Sequence, residues 1–122
     1  MKAIITVSLV MALLVSTTAT AMAQARPVEV WECRDLSATN WRSILVRATV
    51  DSGRETGSIF VAGVSYYATF HVAGFNRRWD FGPKTDPALY AFVINPDGTG
   101  AYYSFETAKE TKPSMFMECR QR

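Results

Sequence analysis

Val64-Ser65-Tyr66-Tyr67-Ala68-Thr69-Phe70-His71-Val72 is the stretch that decides the fold. Successive side chains of an extended chain point to opposite faces. Val64, Tyr66, Ala68, Phe70 and Val72 therefore share one face, and Ser65, Tyr67, Thr69 and His71 share the other. An apolar face backed by a polar one is the pattern of an antiparallel strand with one side in the core and one in water. Ala62-Gly63 precedes this stretch and Ala73-Gly74 follows it, and glycine at each junction permits a tight reversal.

The same alternation recurs outward from there. Ile44, Val46, Ala48 and Val50 form an inward face against Leu45, Arg47, Thr49 and Asp51, and Asp51-Ser52-Gly53 closes that run. Thr56 to Ala62 and Phe75 to Phe81 read as strands, Ala88 to Asn95 is apolar on both faces, and Tyr102 to Thr107 follows the hairpin signal Asn95-Pro96-Asp97-Gly98-Thr99-Gly100. Val28 to Cys33 and Ser114 to Arg120 are the first and last strands, with Trp31 beside Cys33 and Met115 and Met117 beside Cys119. Gly82 to Pro87 is a longer loop, and Arg34 to Arg42 is an irregular linker with room for one helical turn. About eight short strands joined mostly by short turns predict an all-β fold, a small antiparallel barrel or sandwich. The inward aromatics Tyr66, Phe70, Phe75, Trp79, Phe81, Phe92 and Phe105 are expected to fill its interior, and Tyr67 and Tyr102 to point outward.

The N-terminal segment is set apart. Lys2 is followed by a 13-residue apolar stretch, Ala3 to Val15, and then by Ala21-Met22-Ala23. A positive start, a short apolar run and an A-x-A site make residues 1–23 a secretory signal peptide with cleavage before Gln24. The apolar run is shorter than the roughly 20 residues a bilayer-spanning helix needs. The expected product is a single β-domain over residues 24–122, periplasmic or secreted, with no membrane insertion after cleavage. An outer-membrane barrel is disfavoured, because the outward face of Ser65 to His71 is polar.

Without Lys2, the 13 Lys+Arg become 12 against 11 Asp+Glu, far from the basic excess of a nucleic-acid binder. The two cysteines, Cys33 and Cys119, lie near the ends of the exported portion. An even count in an oxidising compartment predicts a disulfide between them, the alternative being two free buried thiols.

No catalytic constellation is present in the sequence. His71 is the only histidine and falls on a polar face. A general base needs a nucleophile and an orienting acid, so it takes no catalytic role here. Zinc requires several His or Cys ligands, and no metal or cofactor is expected. Glu29 and Glu32 point to opposite faces and read as ordinary surface charge. Alternation from Phe75 to Phe81 places Arg77 beside Trp79 on the inward face, and Arg78 beside Asp80 outside. An arginine on an aromatic face is costly to bury unless paired. It either snorkels to water or pairs with an acid at the strand end, or stacks on Trp79 at a barrel mouth to grip an anion or a partner's carboxylate. Arg77, Arg78, Trp79, Tyr67, Tyr102 and Trp41 are the candidate binding residues, Trp41 either closing one end of the core or touching a partner.

Trp31-Glu32-Cys33-Arg34 near the start and Met117-Glu118-Cys119-Arg120-Gln121 at the end complete a layout that resembles the periplasmic inhibitors of c-type lysozyme. That family consists of small exported eight-stranded β-barrels whose disulfide ties an early strand to the last one. The resemblance spans the whole exported portion as architecture. The family's inhibitory loop carries a Ser-Gly motif with a nearby tyrosine, and the nearest segment here, Gly63-Val64-Ser65-Tyr66, departs from it. No functional residue is therefore transferred. The expected function is non-catalytic binding of another protein, as an inhibitor or accessory domain would do. A lipocalin-like carrier of a small apolar ligand is the alternative, and an exported hydrolase the third.

Overall fold

The computed structural model describes residues 26–107 and 112–122; the expected signal peptide lies outside them. Eight strands follow in order: β1 (Pro27–Asp35), β2 (Val46–Asp51), β3 (Thr56–Val61), β4 (Val64–Ala73), β5 (Asn76–Phe81), β6 (Tyr90–Ile94), β7 (Thr99–Ser104) and β8 (Met115–Gln121). Each pairs antiparallel with its chain neighbours, and β8 returns to β1 to close a barrel. Closure decides between the two expected architectures and, among the described residues, leaves no sheet edge exposed. The linker after β1 forms turns and bends and no helical turn.

Eight strands make a barrel just wide enough for side chains to fill. Val46, Ala48, Val50, Ile59, Ala68, Phe70, Trp79, Phe81, Phe92, Ile94 and Met117 form the core, with Trp31, Tyr66 and Tyr102 packed against it. Trp79 is fully buried and donates Nε1–H to the Thr49 carbonyl at 2.8 Å, so its one polar atom is satisfied. Cys33 and Cys119 are directly opposed on β1 and β8 and are disulfide-bonded, with Cα atoms 4.1 Å apart. The bond closes the barrel covalently at the seam where first and last strands meet.

Turn geometry sets which side chains the strands hold inside. Val61 pairs with Val64, leaving Ala62-Gly63 as a two-residue loop with φ of 51° and 76°. Positive φ at both positions is the primed turn that matches strand twist. Ala73 pairs with Asn76, so Gly74 and Phe75 form the next loop tip. This corrects the inward placement of Phe75, which the turn lifts out of the strand register and leaves 88 % exposed.

The β6–β7 hairpin overturns two further expectations. It closes at Asn95 and Thr99, so β7 starts at Thr99 and ends at Ser104. Tyr102 then sits opposite Phe92, and directly opposed residues share a face, so Tyr102 points inward. Tyr103 takes the outer face, and Phe105, beyond the strand end, stacks on it with ring centroids 6.2 Å apart rather than entering the core.

One mouth of the barrel gathers the β2–β3, β4–β5 and β6–β7 turns together with the start of β1. The opposite mouth gathers the β1–β2 linker, the β3–β4 turn and the longer β5–β6 and β7–β8 connections.

Candidate functional site

At the first mouth, β1 alternation places Glu29 on the same inward face as Trp31 and Cys33. A carboxylate there must be paired. Glu29 is 5 % exposed and accepts hydrogen bonds from Arg77 Nε at 2.6 Å, Arg54 Nη1 at 2.8 Å and Trp31 Nε1 at 2.8 Å. Burial pushes the Glu29 carboxyl pKa up, but the bonds from Arg77, Trp31 and Arg54 outweigh it and hold the value down at about 2. Arg77 also lies over the Trp31 ring, 4.9 Å from its centroid, and not over Trp79. The acid-paired reading of Arg77 is therefore the one the geometry meets, and the guanidinium is locked at the rim.

On the outer wall, Glu32 stands directly opposite Arg47 of β2 and Arg120 of β8. The three make an Arg–Glu–Arg rung across β2, β1 and β8. Arg47 Nη2 and Arg120 Nη2 each donate to Glu32 at 3.1 Å, and Arg122 Nη1 adds a third bond at 3.2 Å. These side chains roof the carboxylate, which is 2 % exposed although its strand position faces out. Burial raises its pKa, and Arg120, Arg47 and Arg122 together lower it below the usual carboxylate value. Two residues further along β1, Arg34 donates to Glu118 at 3.0 Å. Trp41 folds back from the β1–β2 linker onto this wall, with the Arg34 and Arg120 guanidiniums each 4.4 Å from its ring centroid. It caps arginines outside the barrel rather than closing an end of the core. The reading of Glu29 and Glu32 as ordinary surface charge is thus corrected: both are buried hubs of arginine clusters.

At the second mouth, Tyr66, Phe81, Tyr90 and Tyr102 form a chain of aromatic contacts, with centroid separations of 5.3 Å for Tyr66–Phe81, 5.6 Å for Phe81–Tyr90 and 5.9 Å for Tyr90–Tyr102. Beside them an apolar recess of ≈ 280 Å³ opens between Leu45, Val61, Ala62, Tyr102, Met115 and Met117. Tyr90 donates its hydroxyl to Glu106 at 2.8 Å, which raises its pKa. Burial pushes the Tyr102 phenol up to about 12, helped by the nearby Tyr90, Tyr66 and Glu106.

The remaining candidates are dispersed. Arg78 faces outward and donates Nε–H to Asp80 at 3.0 Å. His71 is on the same outer face, with Nδ1 3.7 Å from Asp80 Oδ2, and its side chain is half exposed. Tyr67 is 74 % exposed on β4, diagonal to Phe60 of β3, itself 47 % exposed. The structure therefore does not unite Arg77, Arg78, Trp79, Tyr67, Tyr102 and Trp41 into one site. Glu32, Arg47, Arg120 and Arg122 were not among the candidates, and their arrangement depends on strand neighbours across the closing seam. Among the described residues, no group of three or more His, Cys, Asp or Glu side chains is placed to hold a metal ion, and no helix is long and apolar enough to cross a membrane.

Comparison of the chain with protein-family models, curated proteins and solved structures finds no match.

Proposed function

We propose that this is an exported, non-catalytic domain that binds another protein through its outer surface, as an inhibitor or accessory subunit does. The observation that carries this reading is the filled interior. Trp79, Phe81, Phe92, Ile59, Ile94 and Met117 are fully buried within the barrel and occupy the space where a carrier of the same strand number holds its ligand. What the molecule offers is a rigid, disulfide-closed scaffold with arginines pre-set by buried carboxylates on its outside. The disulfide is consistent with an oxidising, exported location. Both cysteines are bonded, and His71 sits on an open wall beside Asp80, an arrangement that supports a non-catalytic reading.

A second reading has one observation in its favour. The apolar recess of ≈ 280 Å³ at the second mouth would suit the end of a small apolar ligand. It falls just below the range of roughly 300–1,000 Å³ typical of ligand pockets.

The two readings separate in one set of measurements. The exported protein is immobilised and exposed to envelope extract of its host, and any retained protein is purified and titrated back by calorimetry. In parallel, an anilinonaphthalene dye is titrated into the free protein. Saturable binding of a purified protein, unaffected by excess dye, is expected. Tight dye binding that is lost in Tyr102→Ala, with no protein retained, would replace this reading by the carrier.

A further inference from the structure

The outer wall of β8, β1 and β2 holds more positive charge than it neutralises. Arg34, Arg47, Arg120 and Arg122 face Glu32 and Glu118, so the four arginine charges against two glutamate charges leave +2 among these side chains. Each guanidinium on Glu32 uses a single N–H there, and the rest of its fork of donors is free to bind a second acceptor. The shared buried carboxylate fixes where those forks sit, so little side-chain order has to be gained on binding. The next acid along the outer face of β2, Asp51, is turned away to accept from Thr56 at 2.7 Å.

An open depression of ≈ 570 Å³ lies beside this cluster. Pro27, Val30 and Thr49 line it, and Arg47 and Arg122 stand with them. The register explains the juxtaposition. Thr49 is opposite Val30, and the backbone N–H of Arg122 donates to the Val30 carbonyl at 2.8 Å, so Thr49, Val30 and Arg122 form the rung next to Arg47–Glu32–Arg120. A mainly apolar floor between two part-exposed guanidiniums complements an apolar side chain flanked by carboxylates.

We infer that this wall receives an acidic segment of the partner protein, with Arg47 and Arg122 gripping its carboxylates and an apolar side chain seated on Val30. The inference rests on the protein-binding reading and names its surface. A nucleic acid would ask for a longer basic track, whereas this wall is compact and interrupted by Glu32 and Glu118.

The test uses the exported protein, ¹⁵N-labelled, and the capped peptide Glu-Leu-Glu-Leu-Glu, with its all-glutamine counterpart as control. Amide shifts centred on Val30 and Thr49, and Nε–H shifts of Arg47 and Arg122, are expected with the acidic peptide only. Affinity should weaken as salt is raised. R47Q/R122Q should lower it about tenfold or more, whereas K84Q/K112Q, which removes the same number of charges elsewhere, should not. Thermal melts verify that R47Q/R122Q remains folded. Val30→Glu provides an independent arm: it places a carboxylate in the depression, leaves the arginines in place, and should abolish peptide binding. Equal binding of the glutamine peptide, or acidic-peptide binding unchanged in both R47Q/R122Q and Val30→Glu, would overturn the proposal. So would tighter binding to a DNA duplex or to phosphatidylglycerol vesicles. A purified partner that binds R47Q/R122Q as tightly as wild type would remove this surface while leaving the protein-binding reading in place.

Discussion

Glu29→Gln is the substitution that most directly probes how this barrel is held at its first mouth. Gln keeps the shape and an acceptor but removes the charge that Arg77 and Arg54 share at 2.6 Å and 2.8 Å. A carboxyl held at about 2 rather than its ordinary 4.5 represents on the order of 3 kcal/mol of folding free energy at neutral pH. Arg77 is 34 % and Arg54 60 % exposed at the side chain, so both regain some hydration once Glu29 is lost. The expected loss is therefore about 2–3 kcal/mol, somewhat below the cost of breaking a fully buried pair. In a domain of this size that lowers Tm by roughly 10–20 °C. The pH dependence is the sharper readout. A depressed folded pKa contributes stability that is complete above the unfolded value and is lost as pH falls towards the folded one. The difference between wild type and Glu29→Gln should therefore be full above pH 4.5 and should close as pH falls to about 2. Urea unfolding followed by tryptophan fluorescence across that range measures it, and taking the difference cancels the other carboxylates. A deficit under about 0.5 kcal/mol at neutral pH would place the cluster among neutral surface contacts. A deficit that persists undiminished to pH 2 would refute its electrostatic origin.

The disulfide spans a sequence separation of 86, for which chain entropy gives about 4.6 kcal/mol; Cys33→Ala should cost roughly 2–5 kcal/mol in urea unfolding, and two free thiols in the unfolded, unreduced wild type would contradict the bond. Tyr102 should ionise near 12 against the usual 10.0; its raised value adds stability that is intact below pH 10 and lost as pH rises towards 12, seen in an ultraviolet titration as a phenolate appearing near pH 12 that disappears in Tyr102→Phe. Ala62 holds φ of 51° in a turn made for Gly or Asn; Ala62→Gly should raise stability by about 1 kcal/mol, and a loss would mean that the Ala62 methyl group at the apolar recess outweighs the backbone strain.

The fold was legible because period-two alternation and turn chemistry agree along the chain. Tyr66 to Phe70 and Val46 to Asp51 kept their faces, while Val64 and Val72 at the ends of β4 run past the core and are exposed; the glycine junctions at Gly53, Gly63 and Gly74 became the turns they signalled. The errors cluster where a strand boundary shifts. Alternation makes Phe75 the first residue of a strand, but the Gly74-Phe75 loop holds it instead. Starting β7 three residues early, at Thr99, turned Tyr102 inward and left Phe105 beyond the strand. With a period of two, a displaced boundary carries a side chain to the wrong surface. Closure itself was not legible, since alternation is the same in a sandwich and a barrel.

The candidate site was partly within reach. Alternation sets Arg77 on an inward face, and Glu29, two residues before Trp31, falls on the inward face of β1 by the same rule although it reads as surface charge, each being costly to bury alone. Two orphan charges of opposite sign in one small interior imply each other, and they meet at 2.6 Å. The Glu32 wall follows from the disulfide by a similar step. Directly opposed cysteines in an antiparallel pair set the register of both strands, because every other opposed pair lies equally far on either side of them. Pairing Cys33 with Cys119 places Glu32 against Arg120 and Arg34 against Glu118, and both pairs are found. The charges flanking the cysteines are thus complementary across the closing seam, on the face opposite the bond. A shift of one residue in either direction would set Glu32 against Cys119 or Gln121 instead. The seam therefore opposes misregistered closure on two independent grounds, the covalent bond inside and the ion pairs outside. What no local pattern discloses is that Arg47 and Arg122 converge on the same carboxylate, because that requires β2 and β8 to flank β1, which only the closed barrel provides.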